Sequence, residues 1–582
     1  MKYNFTWKKY HRWLGLVLSV FMLVFCVSGI ILNHREAFSG CEVSRKWLPA
    51  SYHIKNFNNG VVKGTVVKNS GSLAISEGFS DSILVYGCAG VFLTDYQLST
   101  WQDFNAGLPK SIDERNVRHL VQARDGSLWC AALRDVYRYD ENAQQWKKVE
   151  LPGNEERIMD VALGKNSIQV VALTRSRIFE ITPIASNIDV SESPSSLASS
   201  AKGGVSEKSP DIFEKKSGGF SEKVGTFWGK YRVEAKIIPA PKNYEPKTTL
   251  FKLVWHLHSG EFFGLLGKLV VDAIALVLIV LSITGIIRFI LPYGIRRAKK
   301  LAAKARMKRL GKQFAWNMKW HNKIGYVTIV LTLWIAITGM CLRPPLMVPL
   351  VLSKLPQAVG EDGNVWQDKL RAIRWDAVQG DWLVSTSEGF LRVDEDFSQA
   401  PKMLPDDECP KLSPMGVTVW ESDGKGGWIV GSFRGIYRWN PVNHKSQILD
   451  YFTNEPCVET SMIPISDNLV CGYSEDFLGG KPLVFDFAKG VEDAKGQAVA
   501  LCNDEPKTSR NEESMSDLIC ETAPMSLWNV ALELHVGRCY SPFLGPLSDL
   551  FVFLSGLLIT LVLLSGYIIS HRRRKKAQAR LK

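Results

Sequence analysis

The chain has 582 residues, which is too long for one compact domain, and its mean hydropathy of −0.03 averages very apolar segments with ordinary polar ones. Its net charge is +13, but the basic runs stand beside apolar segments, which favours membrane anchoring and excludes nucleic acid as the expected partner. The eleven cysteines form no CxxC pair, which excludes the common zinc spacings.

Four apolar runs predict transmembrane helices, because each is near the ~20 residues that cross a bilayer. They cover about 14–32, 264–291, 324–342 and 549–570. Basic segments precede the first run and follow the second and the fourth. The positive-inside rule therefore predicts a multi-pass protein of a bacterial inner membrane, with both termini cytoplasmic and the two long segments periplasmic. The lipid bilayer is its first expected partner.

In chain order the predicted elements alternate between membrane and β-rich segments. They are a first transmembrane helix in 1–34, a β-rich segment at 35–250 with a flexible Ser/Gly/Lys-rich insert at 185–225, a Leu-His-x-Gly segment with the second transmembrane helix at 251–291, a basic cytoplasmic loop at 292–323, a third transmembrane helix at 324–343, a second β-rich segment at 344–530, and a Leu-His-x-Gly segment with the fourth transmembrane helix and a basic tail at 531–582. An alternative interpretation makes the first run a signal peptide, with FSGC at 38–41 as a cleavage box. The residues NHREA at 33–37 separate that box from the apolar run, which favours a retained helix.

The chain contains an internal repeat. KYHRWLGL around His11 matches KWHNKIGY around His321, with glycine four residues later and again at Gly29 and Gly339. WHLHSG around His258 matches ELHVGR around His535. Both halves enter the membrane in the same sense, which predicts tandem parallel repeats and a four-helix bundle.

Both long segments show strand, tight turn and strand at roughly forty-residue intervals, which is the rhythm of propeller blades. DSILVYGCAGVFLTD in the first half and GGWIVGSFRGIYRW in the second are examples. We therefore predict an α-helical membrane protein with an all-β, propeller-like periplasmic domain split between the two halves. Two small β-sandwiches are the alternative.

Five histidines near the predicted membrane surfaces are candidate ligands. His11 and His321 share the cytoplasmic face, and His258 and His535 share the outer face. His34, roughly 34 Å from His11 by helix rise, is a competing ligand at the outer face. Neutral imidazole ligates iron, and helical bundles hold haem between facing helices, so the two pairs predict two haem b groups. Anchoring at the membrane interface remains an alternative role, and a copper or zinc ion an alternative ligand.

The motifs HRWLGL…SGIILNH, LHSGEFFGLLGKL, WNMKWHNKIGY…ITGM and ELHVGRCYSPFLG resemble the PepSY-associated transmembrane proteins. Some members of that family are haem-containing inner-membrane reductases that release iron from ferric siderophores. The resemblance implies haem-ligand roles for His11, His34, His258, His321 and His535. It covers the four spans and their flanks and leaves out the β-rich segments, so the acceptor stays open.

No cytoplasmic segment is long enough for a dinucleotide-binding fold, so the expected electron donor is a membrane quinol or a separate reductase. The sequence thus predicts a di-haem oxidoreductase that reduces a periplasmic acceptor, with ferric siderophore iron as the candidate. Two alternatives remain: a ligand-sensing or binding membrane protein that uses its β domain for recognition, and an iron-chelate transporter.

Overall fold

The structure is a computed structural model that describes residues 7–68, 82–98, 100–153, 156–184, 226–228, 231–359, 362–413, 415–442, 448–457, 468–477, 479–501 and 523–579. The insert predicted at 185–225 lies outside the described residues.

Ten α-helices occur in the described part of the chain. They are α1 (Trp7–Asn33), α2 (Arg35–Phe38), α3 (Leu250–Ser259), α4 (Gly264–Lys300), α5 (Lys304–Val327), α6 (Ile329–Cys341), α7 (Met347–Leu352), α8 (Leu527–His535), α9 (Ser541–Leu544) and α10 (Ser548–Gln578).

Among the residues that the structure describes, three helical segments are long and apolar enough to cross a membrane: Lys8–Asn33, Glu261–Lys300 and Arg538–Lys575. The third span expected from the sequence is divided, because α5 and α6 meet at a bend of 68°. Counting this bent pair as one span gives four. The basic segment 292–323 is also largely helical rather than a loop, since its Ala, Lys, Arg and Leu residues are strong helix formers.

The four helices α1, α4, α6 and α10 share an apolar core. Its buried residues are Cys26 from α1 with Ile274, Ala275 and Leu278 from α4. Trp334 of α6 and Leu563 of α10 pack against them. The repeated spans of the two halves therefore contact one another directly.

The two β-rich segments form small antiparallel sheets, as expected. In chain order the first half gives β2 to β5 (Gly64–Lys68, Ser82–Gly87, Gly90–Asp95, Trp101–Asp103), β6 to β9 (His119–Gln122, Leu128–Ala131, Val136–Asp140, Gln145–Val149) and β10 to β14 (Ile158–Leu163, Val170–Thr174, Ile178–Pro183, Thr226–Trp228, Tyr231–Lys236). The second half gives β17 to β20 (Leu370–Asp376, Asp381–Thr386, Gly389–Val393, Lys402–Met403), β21 to β24 (Val419–Ser422, Trp428–Ser432, Gly435–Trp439, Leu449–Asp450) and β25 to β27 (Val470–Ser474, Leu483–Asp486, Gly490–Asp493).

Six apolar cores lie between these six sheets. Successive side chains of a strand point to opposite faces, so each sheet contributes to two cores. On β3, for example, Ile83 and Val85 pack against the last sheet, whereas Leu84 packs against the second. Neighbouring sheets share a core throughout the series, and the first sheet shares one with the sixth. Residues from both halves of the chain therefore form common cores.

Two short strand pairs connect the sheets to the helices. β1 (Glu42–Val43), which follows α1 and α2, pairs with β28 (Met525–Ser526), which leads into α8. β15 (Lys247–Thr249), which leads into α3, pairs with β16 (Lys354–Pro356), which follows α7. The repeat thus extends to the connections, and α3 and α8 occupy equivalent places.

Candidate functional site

One pair of histidines lies where the β domain meets the helices. Helix α3 is capped by the Thr249 hydroxyl and carries His258 in its last turn, and α8 is capped by the Ser526 hydroxyl and ends with His535. Their ring centroids are 6.1 Å apart, with an angle of 50° between the ring planes. We call His258 and His535 the β-side pair.

A hydroxyl from the other half of the chain holds each ring of the β-side pair. His258 Nδ1 lies 3.0 Å from Thr338 Oγ1, and His535 Nδ1 lies 2.9 Å from Ser28 Oγ. Each hydroxyl donates its own hydrogen to a backbone carbonyl four residues earlier, at 2.8 Å for Thr338 and 2.7 Å for Ser28. The hydroxyl oxygen must therefore accept from the imidazole, which places the ring proton on Nδ1 and leaves the Nε2 lone pair available.

The second pair, His11 and His321, has the same construction. The ring centroids are 6.3 Å apart at an angle of 67°. His11 Nδ1 lies 3.0 Å from Ser565 Oγ, and His321 Nδ1 lies 2.8 Å from Thr284 Oγ1. The two hydroxyls again donate to backbone carbonyls, at 2.8 Å and 2.6 Å. Because basic side chains surround this site, we call it the basic-side pair.

A glycine follows each of the four hydroxyl residues and admits the imidazole. A Cβ on Gly339 would stand 2.8 Å from His258 Cε1, and one on Gly566 would stand 3.0 Å from His11 Cε1. The corresponding distances are 3.4 Å from Gly29 to His535 Cε1 and 3.7 Å from Gly285 to His321 Cε1. In each span, one Ser/Thr-Gly dipeptide is thus a seat for a histidine ring.

A cavity of about 460 Å³ adjoins the basic-side pair. Its walls are mainly apolar and come from helices of both halves, with His11 and His321 among them. The positively charged groups that line it are Lys8, Lys9, Arg12 and Arg288. This cavity offers apolar contact to a flat ring system and positive charge to an anionic substituent.

His34 does not join either pair. Its Nε2 lies 2.6 Å from Asp272 Oδ2, while Asn33 donates to the other carboxylate oxygen at 3.1 Å. Asp272 is thereby satisfied inside its span, as a buried charge requires. In the other half, Arg343 and Asp549 form the equivalent contact at 3.5 Å. The structure therefore gives His34 a carboxylate partner and pairs His258 with His535.

The sequence analysis identified the four paired histidines but missed the hydroxyl residues that hold them. Part of the signal was present, since every span contains such a dipeptide: SG at 28–29, TG at 284–285, TG at 338–339 and SG at 565–566. The last span also contains an SG at 555–556, whose glycine faces Met340 instead of a histidine. Among the described residues, no three His, Cys, Asp or Glu side chains group in a way that could hold a bare metal ion. What the sites offer is two neutral imidazoles each.

Comparison with known proteins places the chain in a family. The model of the PepSY-associated TM region matches twice, at residues 4–291 and 289–574, one match for each repeat. No curated protein matches the chain.

Two structures of one extracellular domain from B. thetaiotaomicron, described as part of a one component system in the first and of a hybrid two component system in the second, align with TM-scores of 0.29. Their sequence identities are 8% and 9%, and each alignment covers 75% of this chain and 38% of the other. At these TM-scores the likeness carries no argument about fold or function. The two family matches span nearly the whole sequence, and the chain belongs to the family of membrane proteins with a PepSY-associated TM region.

Proposed function

We propose that the chain carries two haem b groups and transfers electrons across an inner membrane to an acceptor beside its β domain. One observation supports this most directly, namely the spacing of the two imidazole pairs. Two imidazoles that held one iron through bonds of about 2 Å would have ring centroids up to roughly 6 Å apart. The pairs have centroids 6.1 and 6.3 Å apart, so the described residues fit the group.

Two further features support haem as the occupant. The hydroxyl seats keep the proton on Nδ1, so that each ring presents Nε2 as a ligand without a change of tautomer. The cavity at the basic-side pair supplies apolar walls, and Arg12 and Arg288 supply positive charge for propionates. Bound haem would supply one-electron chemistry, whereas the protein sets the ligands, the polarity and the access of water.

The separation of the sites suits transfer in two steps. On α1, seventeen residues separate His11 from the Ser28 seat of the β-side pair, which is about 26 Å at the rise of an α-helix. This is shorter than the roughly 34 Å expected from His34, because the outer site lies deeper than the helix end. Trp334 packs in the apolar core shared by α1, α4, α6 and α10, four residues before Thr338 of the β-side pair's seat.

The proposal includes the architecture predicted from the sequence. The four repeat-related spans would form one bundle, which the core shared by α1, α4, α6 and α10 supports. The six sheets would be the blades of one split propeller. The support is that each sheet shares a core with both neighbours, and that the sixth shares one with the first.

The orientation follows from charge. Basic residues cluster on α5 and at the ends of α4 and α10, so the positive-inside rule places this side in the cytoplasm and the β domain in the periplasm. The donor on the cytoplasmic or membrane side would be a quinol or a separate reductase. Ferric siderophore iron is the proposed acceptor.

A reduced-minus-oxidised spectrum of the purified full-length protein, with haem quantified per chain, tests the proposal. We expect two haems per chain, one of which is lost in His535→Ala and the other in His11→Ala. His256→Ala is the matched control, since His256 lies on α3 two residues from His258 and outside the pair. A protein without a Soret band would refute the proposal and favour a sensor or a transporter, and uptake of labelled iron chelate into vesicles without reduction would identify the latter.

A further inference from the structure

A cluster of arginines contacts the helix α8, which carries His535 of the β-side pair. Its members come from loops and strand ends on one side of the sheets and from the short helix α2: Arg35, Arg118, Arg157, Arg175 and Arg371. Burial, followed by repulsion from neighbouring arginines, lowers the pKa of Arg157 to about 9 and that of Arg118 to about 10. The arginines are therefore close enough to disfavour one another's charge.

Two members of the cluster have no hydrogen-bonded carboxylate among the described residues. Arg35 forms a two-bond contact with Asp113 at 2.6 Å, and Arg175 pairs with Asp368 at 2.8 Å. In contrast, the guanidinium groups of Arg118 and Arg157 form no hydrogen bond or ion pair with any described residue. The nearest carboxylates are bonded elsewhere, Asp160 to Arg374 and Asp113 to Arg35, and offset only part of the repulsion. An anionic ligand in contact with Arg118 and Arg157 would offset more of it.

Trp528 connects the cluster to the helix that carries His535. Trp528 of α8 packs under it, with its ring 3.9 Å from the Arg35 guanidinium carbon and 5.9 Å from that of Arg157. Trp528 precedes His535 by seven residues on the same helix, or about 10 Å of rise. An anion held here would lie within a short distance of the β-side pair, with an aromatic ring between them.

We propose that the arginine cluster is the docking site of the electron acceptor, and that it selects iron(III) chelates carrying net negative charge on carboxylate or catecholate oxygens. This inference rests on the proposed function. Arginine matches such oxygens because its planar fork donates two parallel hydrogen bonds. In the reaction, iron(III) of the chelate would gain one electron from the reduced protein and become iron(II), and the released iron(II) would leave the chelate.

Binding is tested on the oxidised full-length protein in nanodiscs by calorimetry, with iron(III) citrate as the anionic probe. The cationic iron(III) complex of a linear trihydroxamate is the comparison. We expect Arg118→Gln and Arg157→Gln each to weaken citrate binding about tenfold, since each removes charge-assisted hydrogen bonds. Neither change should affect the trihydroxamate or the haem content. The matched control is Arg124→Gln, because Arg124 is exposed at the far end of β6 from Arg118.

The possible outcomes distinguish the docking site from a lipid-binding site and from a failure of the proposed function. Unchanged citrate affinity in both variants, or an equal loss in Arg124→Gln, would overturn the docking site. Citrate affinity that vanishes in anionic lipid but persists in zwitterionic lipid would identify a lipid headgroup as the occupant and also overturn it. Binding that depends on Arg118 in a protein without haem would sustain the anion site while refuting the proposed function. Haem content is measured separately, so the two failures are distinguishable.

Discussion

The effect of one substitution, Gly→Ala, can be ranked across the four histidine seats from the distances in the structure. Gly→Ala adds a single Cβ at each seat, and this atom would meet the imidazole Cε1 at 2.8 Å for Gly339, 3.0 Å for Gly566, 3.4 Å for Gly29 and 3.7 Å for Gly285. Non-bonded carbons rest about 3.5–4.0 Å apart. The His258 ring would therefore have to move by about 0.7 Å or more, whereas the His321 ring would not move.

The expected loss of haem affinity follows from overpacking. Extra atoms in a packed site cost about 1–3 kcal/mol, equivalent to a loss in ligand affinity from about fivefold to more than a hundredfold. Alanine also favours the helix over glycine by about 1 kcal/mol, so the fold itself should not weaken. Haem loss should therefore decrease in the order Gly339, Gly566, Gly29 and Gly285, with Gly285→Ala retaining both haems.

The assay is haem per chain in each purified variant, together with the low-spin signal of bis-imidazole iron. Gly285→Ala is the matched control, because it makes the same chemical change in the same kind of helical site. Equal haem content in Gly339→Ala and Gly285→Ala would refute the idea that the glycines are seats for ligand rings. If Gly339→Ala lowered the melting temperature as well as the haem content, the haem loss would point to misfolding instead.

Three other outcomes are expected. His34→Ala should retain both haems, because His34 Nε2 is engaged by Asp272; loss of one haem would restore His34 as a ligand. Burial alone would raise the pKa of Asp160, but Arg374 and His119 hold it below its usual value, so its stabilisation should be present at neutral pH and vanish as the pH falls below about 4. Asp160→Asn should thus destabilise the β domain by about 3–5 kcal/mol in thermal unfolding at neutral pH, against less than about 1 kcal/mol for the exposed Glu395→Gln, and an equal shift would contradict this. The fragment 345–530 should aggregate when expressed alone, because its sheets share cores with the first half; cooperative unfolding of that fragment would count against the split propeller.

Much of this arrangement was accessible from the sequence. The repeat predicted which histidines are equivalent, and the spacing of strands and turns predicted small antiparallel sheets. The hydroxyl seats were not predicted, because a Ser-Gly or Thr-Gly dipeptide acquires meaning only when the facing helix is known. His11 and Ser565, for example, are 554 residues apart in the chain.

Other details depended on tertiary contacts. The bend between α5 and α6 was missed because the apolar run continues across it, and hydropathy does not report the direction of a helix. His34 looked like a ligand because it lies at the expected depth. However, the His34 Nε2 atom contacts Asp272, which follows His258 by fourteen residues in the chain. The arginine cluster was invisible for a similar reason, since its members come from five separate places in the chain.

The contacts at the seats explain why the two repeats occur in one chain. His258 of the first half is held by Thr338 of the second, and His535 of the second half by Ser28 of the first. In the basic-side pair, too, each histidine is held by a hydroxyl of the other half: Ser565 holds His11, and Thr284 holds His321. Neither half therefore contains a complete histidine pair or even one seated histidine. Covalent linkage of the repeats fixes their ratio and their proximity, so that both sites form whenever the chain folds.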